Sequence, residues 1–338
     1  MAIHTSLPTV RFGETDMQIT RVGFGAWATG GDWAMGWGDQ DDTQSINAIR
    51  HAISLGINWI DTAAIYGNGH SEKVVGEALR SIPASERPYV FTKCGLVWDD
   101  NNLKAFPQQL GTPASLRREL DASLRRLGVE RIDLYQMHWP PTDGTPVEEY
   151  WQTLLDLKKE GKVRAVGLSN HNCEQLELAL KRGHVDTLQP PFSAIMRAAA
   201  AEIGWCRERG TGVIVYSPMQ SGLLSGSFTV ERARSLPKND WRSHLNPEFA
   251  GERLERNLAL AAALNPIAER RRTSVGAVAI SWALAWPGIT AAIVGARSPQ
   301  QVDGWADAAS LQLTPAEVEE VARAIDHTGA GTGPSRPA

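Results

Sequence analysis

A closed (β/α)8 (TIM) barrel in a single α/β domain is the fold predicted by this sequence of 338 residues. Eight short β-branched or apolar runs alternate with stretches of helical spacing over roughly 280 residues, the size of one such barrel. Alternation of this kind implies a parallel sheet, because parallel neighbours need a crossover between them. The competing open sheet of a dinucleotide-binding domain would carry GxGxxG after its first strand. Here Gly23-Phe24-Gly25 runs on into Ala26-Trp27-Ala28, so that fingerprint is missing.

The elements follow in order. Residues 11–20 read as a hairpin placed to plug the N-terminal end of the barrel. Strands are expected at 21–25, 58–61, 89–93, 133–138, 165–169, 187–189, 212–216 and 291–294. Thr43 can cap a helix whose face is Ile46, Ile49, Ala52 and Ile53. Ser71 with Val74, Val75, Ala78 and Leu79 repeats the pattern. Thr112-Pro113 leads into Leu116, Leu120, Leu124 and Leu127, and Gly128 ends that helix. Further helices are expected at 147–159, 174–181 and 299–309. The run 273–296 carries no charge, but Pro287-Gly288 interrupts it, so it reads as a buried helix and a short strand rather than a membrane span. The longest break, 219–250, is polar and Pro/Gly-bearing and falls after the seventh strand, where long loops serve sites. The domain is expected to span 1–327, and the Gly/Pro/Ser-rich tail 328–338 is expected to be disordered.

Composition excludes several classes of function. Thirty-four Lys plus Arg against thirty-eight Asp plus Glu leave a charge of −4, with no clustered basic excess for a nucleic acid or an anionic membrane. The three cysteines, Cys94, Cys173 and Cys206, are single and scattered, which fits a reducing compartment and a cytoplasmic protein. Residues 1–10 show no charged segment followed by an apolar one, so no signal peptide is expected. Nothing in the sequence speaks to oligomeric state. Eight histidines form neither HExxH nor another dense ligand group, so no metal is expected and a metal-dependent barrel hydrolase is disfavoured.

In a barrel of this kind reactive groups stand where strands end, at the C-terminal mouth. Asp61, Lys93 and His138 close three successive strands, and Tyr66 lies in the loop five residues past Asp61. A buried ammonium needs a counter-charge, which Asp61 can supply to Lys93. An ammonium beside a phenol is expected to pull Tyr66 down from its usual value near 10. His138 can donate a hydrogen bond to a carbonyl. Together these groups can protonate an oxygen whose carbon receives hydride. Trp27 and Trp33 follow the first strand, Trp98 the third, and Trp139 adjoins His138. These four are expected to wall a pocket for a ring-shaped substrate, a cyclic carbonyl or the apolar face of a sugar. Trp59, Trp151, Trp205, Trp282 and Trp286 read as packing.

The stretch Asp61-Thr62-Ala63-Ala64-Ile65-Tyr66-Gly67, with Ser71-Glu72 and Gly76-Glu77-Ala78-Leu79, resembles the signature of the aldo-keto reductases. Leu127-Gly128 through His138, Gly161-Lys162-Val163-Arg164, Gly167-Leu168-Ser169-Asn170 and Tyr216-Ser217-Pro218 resemble the same family, from about residue 11 to 326. The resemblance implies a small-molecule carbonyl or alcohol substrate and NADPH as cofactor, with NADH as the other option. It makes Tyr66 the general acid/base, Asp61 and Lys93 its tuning pair, and His138 the group that orients the carbonyl. Ser169, Asn170 and Gln189 resemble the residues that hold the nicotinamide carboxamide, Tyr216 the ring that stacks on it, and Trp27 a further cofactor contact. Ser217, Pro218, Gly222 and Leu224 would wrap the pyrophosphate. Gly295 and Arg297 would meet the 2′-phosphate end, and Gln301 the adenine. Many relatives carry Lys where this chain has Ser227; Lys238 or Arg242 could replace it. Channel-associated β-subunits resemble the same family, which leaves a cofactor-binding regulatory module as the alternative.

Overall fold

The computed structural model describes residues 7–337; the reading of residues 1–10 as free of a signal peptide lies mostly outside them. Eight parallel strands close a barrel in chain order: β1 (Val22–Gly25), β2 (Trp59–Asp61), β3 (Tyr89–Cys94), β4 (Ile132–Met137), β5 (Val163–Ser169), β6 (Thr187–Gln189), β7 (Gly212–Val215) and β8 (Ala291–Gly295). The register closes between β8 and β1, with Ala292 opposite Val22 and Gly295 opposite Gly25. Each expected strand is present, to within two residues at its ends.

Two apolar cores hold the barrel. One lies between strands and helices, where Leu116, Leu120 and Leu127 of the helix Pro113–Leu127 are buried beside Trp151 and Leu154 of the helix Val147–Lys159. The other fills the barrel interior with Trp59, Phe91, Leu134, Ala165 and Ile214. The hairpin Thr9–Arg11 and Gln18–Thr20 delivers Phe12, Met17 and Ile19 into that inner core, so its lower end is plugged. The Trp59 indole donates to the Thr20 carbonyl at 2.9 Å, fastening plug to strand. Trp59 also explains Gly23: a Cβ there would lie 2.2 Å from the indole ring.

Three local expectations are corrected. Asp41 rather than Thr43 caps the helix Asp42–Ser54, accepting from the Gln44 amide at 2.8 Å. An aspartate two residues earlier satisfies the orphan amide and complements the helix dipole. The expected helix 299–309 divides into Pro299–Asp303 and a short 3-10 turn, Ala306–Ala309, with Gly304 between them. The tail read as disordered is instead docked through residue 334, because the carbonyls of Ala330, Gly333 and Pro334 bond the buried Arg197. Ala338 lies outside the described residues. The run 273–296 forms the buried helix Val275–Leu284 followed by β8. Among the described residues no helix is long and apolar enough to cross a membrane.

Candidate active site

The C-terminal ends of β2, β3 and β4 bring Asp61, Lys93 and His138 together. Gly25 pairs with Asp61 and Asp61 with Phe91, so Lys93 stands two residues further along the neighbouring strand, on the same face as Phe91. Lys93 Nζ donates to Asp61 Oδ1 at 2.5 Å and to the Thr62 carbonyl at 2.8 Å. It stands 3.5 Å from the Tyr66 hydroxyl. The second Asp61 oxygen accepts from Gln189 Nε2 at 3.0 Å. The His138 and Tyr66 rings stand nearly perpendicular, at 77°, with centroids 5.7 Å apart.

A tight loop after β2 sets the position of Tyr66. The Ser71 hydroxyl donates to the Ala26 carbonyl at 2.7 Å and contacts the Thr62 hydroxyl at 2.9 Å, tying both loop ends to the barrel rim. Gly67 has φ 61°, and a Cβ there would lie 2.1 Å from the Gly30 carbonyl oxygen, so only glycine lets the two loops touch beside Tyr66.

The electrostatics correct one expectation and sharpen another. Burial pushes the Asp61 carboxyl up and the Lys93 ammonium down, and each partner opposes the other's shift. Lys93 was expected to lower the Tyr66 phenol. Burial, with the Asp61 carboxylate behind it, instead raises that phenol well above 10. The ammonium lies closest to the carboxylate and is only at the edge of hydrogen-bond range from the phenol. Burial and Lys93 hold His138 well below 6.5, so its ring is neutral at physiological pH and can donate one N–H.

One partly buried carboxyl supports this corner without lining it. Glu119 accepts from the Gly95 amide at 2.8 Å and the Ser115 hydroxyl at 3.1 Å, two residues beyond Lys93. Burial raises it from 4.5 to about 7. A carboxyl raised in the folded state stabilises the fold fully below its unfolded value, and that contribution fades as pH rises through the folded one. The contribution amounts to about 3 kcal/mol. Urea unfolding of the wild type should therefore show stability falling between pH 5 and 8. In Glu119→Gln, whose amide oxygen can accept from the Gly95 amide while its NH2 donates to the Ser115 hydroxyl, that fall should largely disappear.

Above the polar floor opens a cavity of about 720 Å³, which runs from Tyr66 and His138 to Arg297 and Gln301. Ser169, Asn170 and Gln189 meet on one wall. Ser169 Oγ donates to the Gln189 carbonyl at 2.8 Å, and Asn170 Nδ2 donates to the His138 carbonyl at 2.9 Å. The Tyr216 hydroxyl donates to Asn170 Oδ1 at 2.8 Å. Sequence reasoning missed the residue beneath this turn. His171, buried and lowered by that burial to about 4, bonds the Ser169 carbonyl through Nδ1 at 2.8 Å and accepts from the Tyr150 hydroxyl at Nε2, 2.7 Å away. Ser217, Pro218, Gly222 and Gly295 line the cavity as well. Non-glycine residues with positive φ concentrate here: Asn170, Ser217, Gln220 and Ser221 all border it. Left-handed backbone at such residues costs about 1–3 kcal/mol each, the strain that persists at ligand clamps.

Two expected wall residues lie elsewhere. Leu224 is fully buried in the outer core beneath the loop. Trp98 turns away from the cavity, with its indole N–H on Asp100 at 2.9 Å and the Arg126 guanidinium 5.5 Å over its ring. Trp27, Trp33 and the partly exposed Trp139 do line it. Trp37 and Trp241 complete an aromatic cluster with Trp27, with ring centroids 4.9–5.9 Å apart. Their positions in two distant loops carry no periodic signal in the sequence. Arg242 does not stand free for a phosphate: it is paired with the buried Asp240 at 2.6 Å and lies 4.6 Å over Trp37. Lys238 is exposed and lies off the cavity, whereas Arg232 borders it.

Comparison with known proteins agrees with this geometry. The model of the aldo/keto reductase family matches residues 21–326. This chain is an aldo/keto reductase. It is 35% identical to an NADH-specific methylglyoxal reductase of Escherichia coli (strain K12), over 94% of this chain and 99% of that one. An aldo-keto reductase of Bacillus subtilis (strain 168) is 32% identical over 93% of this chain and 92% of its own. The structure of a glycerol dehydrogenase from Gluconobacter oxydans superposes with a TM-score of 0.86 at 36% identity, covering 96% of this chain and 97% of the other. As a member of this family the chain is an NAD(P)H-dependent oxidoreductase.

The cavity fits such a cofactor. It reaches from the polar floor to a cationic end, passes the strained loop Ser217–Ser221, and is lined there by Gly222 and Gly295, which present no side chain. The reading as a regulatory module resembling channel β-subunits receives no support from the relatives named here.

Proposed function

We propose that this reductase catalyses reversible hydride transfer between NADPH, in preference to NADH, and an aldehyde or ketone carried on a ring, a cyclic carbonyl or sugar-like molecule. When bound, the nicotinamide supplies or accepts the hydride. Tyr66, kept protonated by its surroundings, gives its proton to the carbonyl oxygen in reduction and takes it back in oxidation. His138, neutral, donates an N–H that orients the same oxygen. Lys93, held by Asp61, keeps a positive charge next to the phenol oxygen as that oxygen loses its proton. Asn170, Ser169 and Gln189 would hold the carboxamide, and Tyr216 would cover the ring. The observation that carries this reading is the Asp61–Lys93–Tyr66 sequence of contacts at 2.5 and 3.5 Å, with the His138 ring 5.7 Å from the Tyr66 ring, centroid to centroid.

The ring-bearing substrate is supported by the wall of Trp27, Trp33, Met35, Met196 and Leu245 above that floor. The two relatives named for small polyols and dicarbonyls make a panel decisive. Cyclic and aromatic carbonyls should show higher kcat/KM than methylglyoxal when cofactor oxidation is followed by absorbance. A uniform preference for the three-carbon substrate would overturn the assignment of substrate class.

NADPH preference rests on Arg297. Three of its N–H groups bond Gln40 Oε1, the Trp37 carbonyl and the Asp39 carbonyl. A guanidinium has five, so two remain for a 2′-phosphate. In Arg297→Ala, fluorescence titration should show NADPH affinity falling by about tenfold to a hundredfold, the worth of a charged hydrogen bond, with NADH little changed. Equal losses for both would assign Arg297 to loop support alone. The sparse single cysteines, free in the structure, are consistent with a cytoplasmic setting.

A further inference from the structure

The C-terminal segment 329–337 folds back across the outside of the barrel and meets the loop after β6. Thr332 donates its amide to the Ile195 carbonyl at 3.0 Å, and its own carbonyl accepts the Arg197 amide at 2.9 Å. Thr332 and Met196 thereby form a parallel bridge. At the centre sits Arg197, 3% exposed, whose guanidinium hydrogen-bonds only backbone carbonyls. Those carbonyls belong to Ala194 on its own loop and to Ala330, Gly333 and Pro334 of the tail, the last three at 3.0–3.3 Å. A buried charge whose acceptors are withdrawn costs several kcal/mol, so the guanidinium and the tail order each other. Glycine is required on the tail side, since a Cβ at Gly331 (φ 68°) would lie 1.8 Å from the Ile195 oxygen.

The loop held in this way carries Met196, whose side of the bridge borders the cavity. Ser193 Oγ closes the turn by accepting the Ile195 and Met196 amides at 3.1 and 3.0 Å. No residue of the tail itself lines the cavity. We propose that the C-terminal segment is a latch that positions Met196 in the substrate wall, with Arg197 as the positioning residue that couples the two. This rests on the reading of the cavity as the site of a carbonyl substrate.

The test uses the full-length chain. Thr332→Pro removes the amide that bonds Ile195, and Arg197→Met removes the guanidinium. Each is expected to raise KM for the preferred carbonyl about tenfold while kcat stays within about twofold, the signature of lost uniform binding. Arg197→Lys should recover part of the loss. Arg336→Ala, which breaks only the outer pairs to Glu319 and Asp326, should leave KM unchanged. Met196→Ala should reproduce the KM rise, and adding Thr332→Pro to it should raise KM no further, because both act through one contact.

Hydrogen exchange at the Arg197 amide provides a readout that needs no turnover, and it should quicken in Thr332→Pro. Quickened exchange with unchanged KM would overturn the proposal, and so would additive effects of the two substitutions. A wild-type chain with no carbonyl-dependent turnover would count against the proposed reaction, while protected exchange at Arg197 would still support the latch.

Discussion

Replacing Tyr66 with phenylalanine is expected to lower kcat for carbonyl reduction by about 10³-fold or more, at the upper end of what a positioned general acid contributes. The ring should stay in place. It packs between Trp27 and Trp33, with centroids 6.1 and 6.3 Å away, and against the His138 ring. Only the hydroxyl disappears, and its close cationic neighbour, Lys93, is already held by Asp61 and the Thr62 carbonyl. Cofactor affinity by fluorescence quenching should therefore change less than about twofold, since the loss falls on an interaction made in the transition state. Turnover of the phenylalanine variant at the wild-type rate would remove Tyr66 from the chemistry. The raised phenol and lowered imidazole also predict a reduction rate nearly flat from pH 7 to 9, because neither group changes its charge in that window.

The second large effect concerns Lys93. Lys93→Met leaves the Asp61 carboxylate, 3% exposed, with Gln189 as its remaining side-chain donor at 3.0 Å. Breaking a buried pair from one side costs about 3–5 kcal/mol, because the surviving charge is uncompensated. Differential scanning calorimetry should show Tm falling by about 6–20 °C, at roughly 2–4 °C per kcal/mol for a large domain. Converting Asp61 to Asn in the same chain removes that stranded charge. The double variant should recover most of the lost Tm and none of the lost activity, since the ammonium beside Tyr66 remains absent. Stability and catalysis would then separate at one contact. If activity returned with stability, Lys93 would be a folding residue alone.

Much of this site was legible in the sequence because strand ends in a (β/α)8 repeat have few choices. A residue that closes a strand must emerge at the C-terminal mouth, and alternation along the strand decides whether it faces the axis. Asp61, Lys93 and His138 close successive strands, so their convergence followed from counting. Tyr66, Ser169, Asn170, Gln189 and Tyr216 lie at or just beyond strand ends, and the structure brings them to the same cavity. The tryptophans on loops were harder. Trp33 and Trp139 face the cavity and Trp98 does not, although all three follow strands, because a loop's direction depends on what it packs against. Arg126 reaches over Trp98 from the neighbouring helix and holds it outside.

What the sequence determined by itself was the barrel, its order of strands, and the identity of the charged and phenolic groups at its mouth. Local periodicity and strand-end position settle these without reference to distant neighbours. Only the tertiary structure decided the direction of the Tyr66 shift, the commitment of Arg242 to Asp240, the partial commitment of Arg297 to residues 37–40, and the docking of a Gly/Pro-rich tail on Arg197. Each of these depends on which buried charge finds which acceptor across the fold. Burial and pairing energies are set by three-dimensional neighbours that no spacing along the chain records.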